Sequence, residues 1–235
     1  MLPIIPKKTF IVKHKWTPPK GFSLVPFTVG QETILLAAKE SEDQAEQYQA
    51  MIQIISECSN GTVEGDDQPV FVIEDLFLRL YEKSIGEKMS FQHRCEEDHD
   101  GVVCGHVQPY TVDLRDLKLM QPEGAQDVFE LGGGIGIKFK FPTLKSSFES
   151  NGDEKLAILL CIDSIFSGDE VYKASDYSLE ELTAFYAQID LQAQKEIYEK
   201  FFSKIPHLYL KIEDQCPKCR AKKLFEFESV KDVFL

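Results

Sequence analysis

The spacing of apolar residues switches between helical and strand-like periods along the chain. Apolar positions recur every three or four residues over residues 31–59, 70–84 and 178–203, which predicts helices there. The middle stretch is the most regular, and its apolar face consists of Phe71, Ile73, Leu76, Phe77, Leu80 and Tyr81. Ser178 and Glu181 have the spacing of a capping box, which predicts where the third helical region begins.

Strict alternation of apolar and polar residues predicts strands between these helices. Residues 10–16 alternate, and Pro18, Pro19 and Gly21 separate them from a second short strand at residues 22–27, so we expect an N-terminal hairpin. Residues 135–141 alternate as well and end at Pro142. The apolar stretch 156–166 is too short for its period to decide between helix and strand.

Two further hairpins are predicted to carry cysteines at their tips. Residues 88–114 alternate on both sides of a turn that contains Cys95 and Cys104, and residues 208–227 do so around Cys216 and Cys219. The predicted fold class is therefore α+β, in which β-hairpins with a split zinc-ribbon-like knuckle of four cysteines pack with several α-helices. We expect an N-terminal α+β domain over residues 1–150. Residues 151–235 are then a helical segment followed by the second cysteine hairpin.

Charge and the absence of long apolar runs restrict the classes of function. The formal net charge is -13, which disfavours nucleic-acid binding because that relies on basic patches. No apolar run approaches the ~20 residues of a membrane span, and the first ten residues lack the features of a secretory signal. We therefore expect a protein of the cytoplasm in which it is made, without a membrane segment.

Four of the six cysteines have the arrangement of metal ligands. Cys216-Pro-Lys-Cys219 has the two-residue spacing of a zinc knuckle, and Cys95 and Cys104 form the other half if the two tips meet. His93, His99 and His106 are candidate substitutes for one of these cysteines. Zn²⁺ is preferred to an iron–sulfur cluster, and four protein ligands would make the site closed and structural. A chain with no bound metal remains an alternative.

Other motifs point to simpler interpretations. Cys58 and Cys161 lie in apolar runs, where cysteine behaves as a small buried hydrophobic residue. The glycines at 132–136 precede a strand and lack the Lys-Ser or Lys-Thr of a phosphate loop, so they predict a turn. A thioredoxin-like redox pair would place its cysteines between a strand and a helix, whereas Cys216 and Cys219 lie between two strands. We find no nucleophile, base and orienting group together, and we expect no enzyme activity.

A zinc-ribbon module that binds nucleic acid or regulates other proteins is the second hypothesis. It depends on the basic residues near the second cysteine pair, which are Lys218, Arg220, Lys222 and Lys223. The simpler interpretation of this cluster is a solvated hairpin tip, which the acidic net charge favours.

Several segments together resemble one known family. They are VPFTVGQETILLAAKESED, the helix VFVIEDLFLRLYEKSIGE, the strand KFKFPTL, and the C-terminal order of helix, Pro206, strand, Cys216-Pro-Lys-Cys219 and aromatic strand. Their order is similar to that of the T4-type phage baseplate hub subunits, also described as baseplate hub assembly proteins. One departure is Arg220, which stands where the family pattern has a glycine after the last cysteine.

The resemblance implies a structural role in the hub of a contractile tail. The partners it implies are other baseplate hub proteins, with the tape-measure protein as a further candidate, in a hetero-oligomeric complex. It places the protein in the host cytoplasm during assembly, and leaves open whether it is an assembly factor or a permanent part of the virion tail. The 17 Phe and 8 Tyr residues fit such a role, because aromatic side chains are enriched at protein interfaces.

Overall fold

The computed structural model of the chain describes residues 5–6, 8–41, 43–230 and 232. These residues form two compact units. Unit 1 comprises residues 1–65, 71–120 and 207–235, and unit 2 comprises residues 66–70 and 121–206. Helices and antiparallel sheets occur together, so the α+β class predicted from the sequence is confirmed.

The described residues contain seven α-helices and thirteen short strands. The helices are α1 (Val29–Glu40), α2 (Gln44–Cys58), α3 (Val70–Ser84), α4 (Leu144–Ser150), α5 (Glu154–Leu160), α6 (Leu179–Tyr186) and α7 (Leu191–Lys200). The strands are β1 (Phe10–Val12), β2 (Phe22–Leu24), β3 (Lys88–Arg94), β4 (Asp98–His99), β5 (Val102–Val103), β6 (Val107–Asp113), β7 (Lys118–Met120), β8 (Val128–Gly132), β9 (Ile135–Phe139), β10 (Ile162–Ser167), β11 (Glu170–Lys173), β12 (His207–Gln215) and β13 (Lys222–Phe227). None of the described helices combines the length and the apolar character that a membrane span needs.

Unit 1 is built around the almost completely buried helix α3. All the residues of its predicted apolar face are buried except Tyr81, which is partly buried, and Asp75 and Glu82 are buried with them. The sheets of this unit are all small and antiparallel: β1 pairs with β2, β3 with β6, β4 with β5, and β12 lies between β7 and β13. The hairpins β3–β6 and β12–β13 are the two predicted from the alternation that flanks the cysteines.

Unit 2 has a core of its own between one sheet and a set of helices. The sheet is antiparallel with the order β11-β10-β9-β8. Ile137 and Phe139 on β9 pack against Leu182 on α6 and against Ile197 and Phe201 from the α7 region. Gly132, Gly133 and Gly134 make the turn between β8 and β9 with φ between 62° and 94°, which confirms that the glycine-rich stretch is a turn before a strand.

Three local features differ from or refine the sequence prediction. The helical region predicted at residues 31–59 consists of two helices, and the second, α2, is capped by Asp43, whose side chain accepts from the N–H of Ala45. Residues 156–166 contain both structures, since helix α5 ends at Leu160 and strand β10 begins at Ile162. The two units also divide the chain at residues 120 and 206 instead of at residue 150, because β12 returns to pair with β7.

Candidate metal centre

Four sulfur atoms from distant parts of the chain meet in unit 1. The Sγ atoms of Cys95, Cys104, Cys216 and Cys219 all lie within 4.8 Å of one another. Cys95 Sγ is 3.7 Å from Cys219 Sγ, and Cys104 Sγ is 3.8 Å from Cys216 Sγ. A tetrahedron of sulfurs at the usual zinc–sulfur bond length of about 2.3 Å has edges of about 3.8 Å. The cluster therefore has the size that a tetrahedral ion requires.

The two cysteine hairpins present these sulfurs through the same backbone pattern. In the first hairpin the N–H of Cys95 donates to the carbonyl of His106 (2.8 Å), and the N–H of Gly105 donates to the carbonyl of Cys95 (2.9 Å). In the second, Cys216 donates to Ala221 (2.9 Å) and Arg220 donates to Cys216 (2.7 Å). The strand pairs that precede these bonds, Arg94 with Val107 and Gln215 with Lys222, are also equivalent. The site is thus made of two similar knuckles.

The longer spacing in the first knuckle is taken up by a small inserted hairpin. Strands β4 and β5 pair between Cys95 and Cys104. Asp100 and Gly101 form the tip, both with positive φ (55° and 84°), as in the tight turns that suit two-residue hairpin loops. The N–H of Cys104 then donates to the carbonyl of Glu97 (2.8 Å), which closes the base of the insertion. Eight intervening residues therefore serve the same purpose as the two between Cys216 and Cys219.

Lysine side chains from the second knuckle reach the first one. Lys218 Nζ donates to the carbonyl of Cys104 (2.7 Å), and Lys223 Nζ lies 3.4 Å from a carboxylate oxygen of Glu97. Burial acts to lower the pKa of Lys223, but its hydrogen bond to the Cys95 sulfur and its contact with Glu97 outweigh burial, and its pKa is raised. These ammonium groups provide positive charge beside sulfurs that would be thiolates around a metal.

The four sulfurs compete with one another for protons. The backbone N–H of Cys219, helped by that of Lys218, lowers the pKa of Cys216 to about 6, although burial opposes this. The N–H of Ala221 acts to lower the pKa of Cys219, but burial and hydrogen bonds with the other three cysteines raise it to about 12. Like charges this close disfavour full ionisation. A divalent cation would remove that conflict, because each thiolate would be paired with the metal.

The other candidate residues lie outside the four-sulfur group. His93 on β3 packs edge-on against Phe225, with ring centroids 5.0 Å apart, and His99 is exposed on β4. His106 contributes its carbonyl to the first knuckle. Cys58 and Cys161 are buried elsewhere, as their apolar surroundings predict, and burial raises the pKa of Cys161 to about 11. None of the six cysteines forms a disulfide.

An aromatic cluster and one polar contact hold the two hairpins together below the knuckles. Phe91 and Tyr110 stack across β3–β6 with centroids 5.4 Å apart, and Phe225 of β13 packs against Tyr110 at 4.7 Å. Gln108 Nε2 donates to the Asp214 carboxylate (3.1 Å). The alternation of residues 88–114 places Phe91 and Tyr110 on one face, but the sequence does not indicate which hairpin that face meets.

The residue after the last cysteine of each knuckle is expected to control stability through its backbone conformation. Gly105 (φ 66°) and Arg220 (φ 63°) occupy equivalent left-handed positions. A side chain in this conformation costs about 1–2 kcal/mol. We expect Gly105→Ala to lose about that much free energy of unfolding, because a Cβ there would meet only ordinary contacts, the nearest at 3.6 Å. Arg220→Gly should gain about 0.5 kcal/mol, since glycine's larger chain entropy offsets part of the relief.

Denaturant unfolding of both variants beside the unchanged chain measures these differences. Gly124→Ala is the matched control for a left-handed glycine (φ 76°), since Gly124 belongs to unit 2 whereas both knuckles belong to unit 1. A stabilising Gly105→Ala, or an Arg220→Gly that loses as much as Gly105→Ala, would contradict the equivalence of the two knuckles.

Comparison with known proteins finds one family that matches nearly the whole chain. A family model described as T4 bacteriophage base plate protein matches residues 9–235, which is nearly the full length and includes both knuckles. No curated protein matches the chain. No solved structure matches it either.

Proposed function

Because the chain belongs to the T4 bacteriophage base plate protein family, as its sequence motifs predict, we propose that it is a structural and assembly component of the baseplate hub. It acts through contacts with other proteins and not as an enzyme. Its four clustered cysteines hold one structural Zn²⁺. The observation that carries the metal assignment is the group of four sulfurs within 4.8 Å of one another.

The donor set favours zinc. A site with four sulfur donors and no oxygen or nitrogen donor suits Zn²⁺ or an iron–sulfur cluster rather than magnesium or calcium. The sulfur separations of 3.7 and 3.8 Å fit a single ion with tetrahedral geometry. A Zn²⁺ with four thiolates carries a net charge of −2, which the ammonium groups of Lys218 and Lys223 partly balance.

A closed site supports a scaffold and not a catalyst. Catalytic zinc keeps one coordination position for water or substrate, whereas four cysteines fill a tetrahedron. Cys95, Cys104 and Cys216 are 2–7% exposed and Cys219 is partly buried, so a substrate has little access to three of the four sulfurs. The ion would instead fix two hairpins whose cysteines are more than a hundred residues apart in sequence.

Nucleic-acid binding receives little support. Of the basic cluster at the second knuckle, Lys218 and Lys223 are engaged with Cys104 and Glu97. The chain as a whole carries a formal charge of -13. Other hub proteins, and the end of the tape-measure protein, are the partners that fit the family. The protein would meet them in the host cytoplasm and enter the virion tail with them.

Elemental analysis of the purified chain tests the metal assignment. We expect one zinc atom per chain, lost when Cys216 and Cys219 are replaced by serine and retained when Cys58 and Cys161 are replaced by alanine. The last pair is the matched control, because both are buried cysteines outside the four-sulfur group. Iron in place of zinc, or a chain without metal after purification in chelator-free buffer, contradicts the proposal.

Association with hub components tests the baseplate role separately. Baseplates and their assembly intermediates from infected cells are fractionated, and the chain is quantified in each fraction by mass spectrometry. We expect it in the fractions that contain hub proteins, with constant stoichiometry in finished tails if it is a permanent component. An inert chain found only free of every hub component would overturn this part, whatever its zinc content.

A further inference from the structure

The charge of the chain is divided unevenly between its N-terminus and the rest. Residues 1–31 contain five lysines and no acidic residue. The remaining residues therefore carry 21 of the 26 Lys and Arg residues against all 39 acidic residues, a formal charge of −18. A basic segment on a strongly acidic protein is attracted to acidic surfaces, including those of further copies of the same chain.

The described part of this segment exposes apolar side chains among its lysines. Ile5 is 82% exposed and Ile11 on β1 is 65% exposed. The neighbouring exposed lysines are Lys8, Lys13, Lys15 and Lys20. Among the described residues, no carboxylate forms an ion pair with any of these four. We call these six exposed residues the basic face. It combines uncovered apolar groups with unneutralised positive charge, a composition suited to an acidic partner with an apolar depression.

Unit 2 has a depression of this kind at one end of its sheet. Ile165 on β10 pairs with Tyr172 on the edge strand β11, and Ile135 on β9 pairs with Ser167. Leu182 and Phe185 of α6 lie beside these strand positions. The depression, which we call the apolar groove, has a volume of about 360 Å³ and is lined mainly by Ile135, Ile165, Tyr172, Tyr177, Leu182 and Phe185. Tyr177 and Ile135 remain 40% and 38% exposed.

The surroundings of the apolar groove are acidic. Residues 167–190, which supply β11 and α6, contain six acidic residues and one lysine, Lys173. The acidic residues, all exposed, are Asp169, Glu170, Asp176, Glu180, Glu181 and Asp190. Four of them accept local hydrogen bonds: Glu170 from the Tyr172 hydroxyl, Asp176 from the Ser175 hydroxyl, Glu181 from Ser178, and Asp190 from the N–H of Ala193. Because all six side chains are exposed, this part of the surface can attract a basic partner.

We infer that the basic face of one copy of this chain docks on the apolar groove of a second copy. Ile5 and Ile11 would enter the groove while the lysines meet its acidic rim. Because the two surfaces are different patches of the same chain, the contact is heterologous, and repeating it closes a ring or extends a filament. This inference goes beyond the proposed function and requires neither the metal nor any hub protein.

Sedimentation velocity of the full chain over a wide range of concentrations tests the contact. We expect self-association at low salt that weakens strongly at high salt, since the Debye length falls from about 10 Å at 0.1 M to about 3 Å at 1 M. The triple variant Lys8→Glu, Lys13→Glu, Lys15→Glu and the triple variant Asp169→Lys, Asp176→Lys, Glu180→Lys should each weaken self-association by at least about tenfold. Circular dichroism and a thermal melt check that both variants fold.

Mixing the two charge-reversed variants gives the decisive comparison. In the mixture, the unmodified lysines of one variant meet the unmodified acidic residues of the other, and the introduced glutamates meet the introduced lysines. The mixture should therefore associate more strongly than either variant alone. The matched control reverses three exposed acidic residues of unit 2 that lie outside residues 167–190, Glu123, Glu130 and Glu149, and should leave self-association unchanged. An unmodified chain that stays monomeric at every concentration overturns the inference, as does a mixture that fails to associate or a control that weakens association equally.

Discussion

Replacing Cys216 and Cys219 by serine is expected to remove most of the free energy that stabilises the folded cysteine hairpins. Structural zinc in small modules contributes on the order of 10 kcal/mol, and whole domains are stable by only about 5–15 kcal/mol. Serine would also leave its hydroxyl in a site where Cys216 is 3% exposed. Chelator treatment of the unchanged chain should have the same direction of effect, because it removes the same ion.

Thermal unfolding followed by circular dichroism, with and without chelator, measures this loss. The control is the double variant Cys58→Ala and Cys161→Ala, which removes two buried sulfurs outside the cluster and should cost only about 1–2 kcal/mol at each position. The control should remain sensitive to chelator, whereas the Cys216→Ser and Cys219→Ser variant should not. Equal melting temperatures for the two double variants would show that no ion stabilises the four-sulfur group.

The sequence is sufficient to single out the four cysteines because the chemistry of the site depends on residue type and local spacing. A Cys-x-x-Cys turn between two alternating stretches defines one knuckle on its own, and Cys104-Gly105 indicates the other. The supporting residues are different. From the sequence, Lys218 and Lys223 belong to a basic cluster that is typical of a solvated hairpin tip. They contact Cys104 and Glu97 only because the two hairpins pack together in the fold.

Regular periodicity explains which elements are predictable. Helix α3 begins and ends where its apolar face predicts, at Val70 and Ser84. The junction between helix α5 and strand β10, Leu160-Cys161-Ile162, contains no polar residue or glycine that would mark it, so the change at Cys161 depends on tertiary packing. Strand β8 is not among the strands that the alternation predicts. It ends at Gly132, the first residue of the glycine run, and its strand structure depends on pairing with β9.

The division into two units is set by long-range pairing and not by composition. Strand β12 pairs with β7, and β13 with β12, so residues 207–235 return to the unit that contains the first knuckle. The boundary at residue 150 is predicted from the order of motifs along the chain. That order does not indicate that residues 207–235 pair with strands of the first unit. The same pairing is what brings the sulfurs of positions 216 and 219 within reach of those at 95 and 104.

Arg79→Met is expected to destabilise unit 1 by about 3 kcal/mol, the lower end of the cost of breaking a buried ion pair. The Arg79 guanidinium lies 3.3 Å from an Asp75 oxygen and 2.9 Å from a Glu82 oxygen, and it donates to the Leu117 carbonyl at 2.9 Å. The two carboxylate side chains are only 8% and 7% exposed, whereas the Arg79 side chain is 23% exposed, which reduces the cost. Methionine keeps the apolar stem but leaves these carboxylates with fewer donors.

Arg115 is the matched control that tests whether burial or the number of ion pairs determines the loss of stability. Arg115 also contacts two carboxylates, those of Glu87 and Asp113, but its side chain is 53% exposed. Exposed ion pairs contribute little, because water and salt screen them. Arg115→Met should therefore leave the denaturant midpoint almost unchanged. If Arg115→Met lost as much stability as Arg79→Met, the number of ion pairs, and not the burial of the carboxylates on α3, would determine the loss.

The pH dependence gives a second criterion for Arg79. Burial acts to raise the pKa of Glu82, but hydrogen bonds from Lys83 and Arg79 outweigh burial and lower it below its ordinary value of 4.5. A carboxylate with a lowered pKa in the folded chain stabilises the fold above its ordinary pKa, and this contribution is lost as the pH falls through the folded value. Arg79→Met removes part of that contribution, so the difference in unfolding free energy from the unchanged chain should be largest near neutral pH and should shrink below about pH 4.5. A difference that stays constant down to acidic pH would show that Arg79 acts through packing and its bond to Leu117, and not through the buried carboxylates.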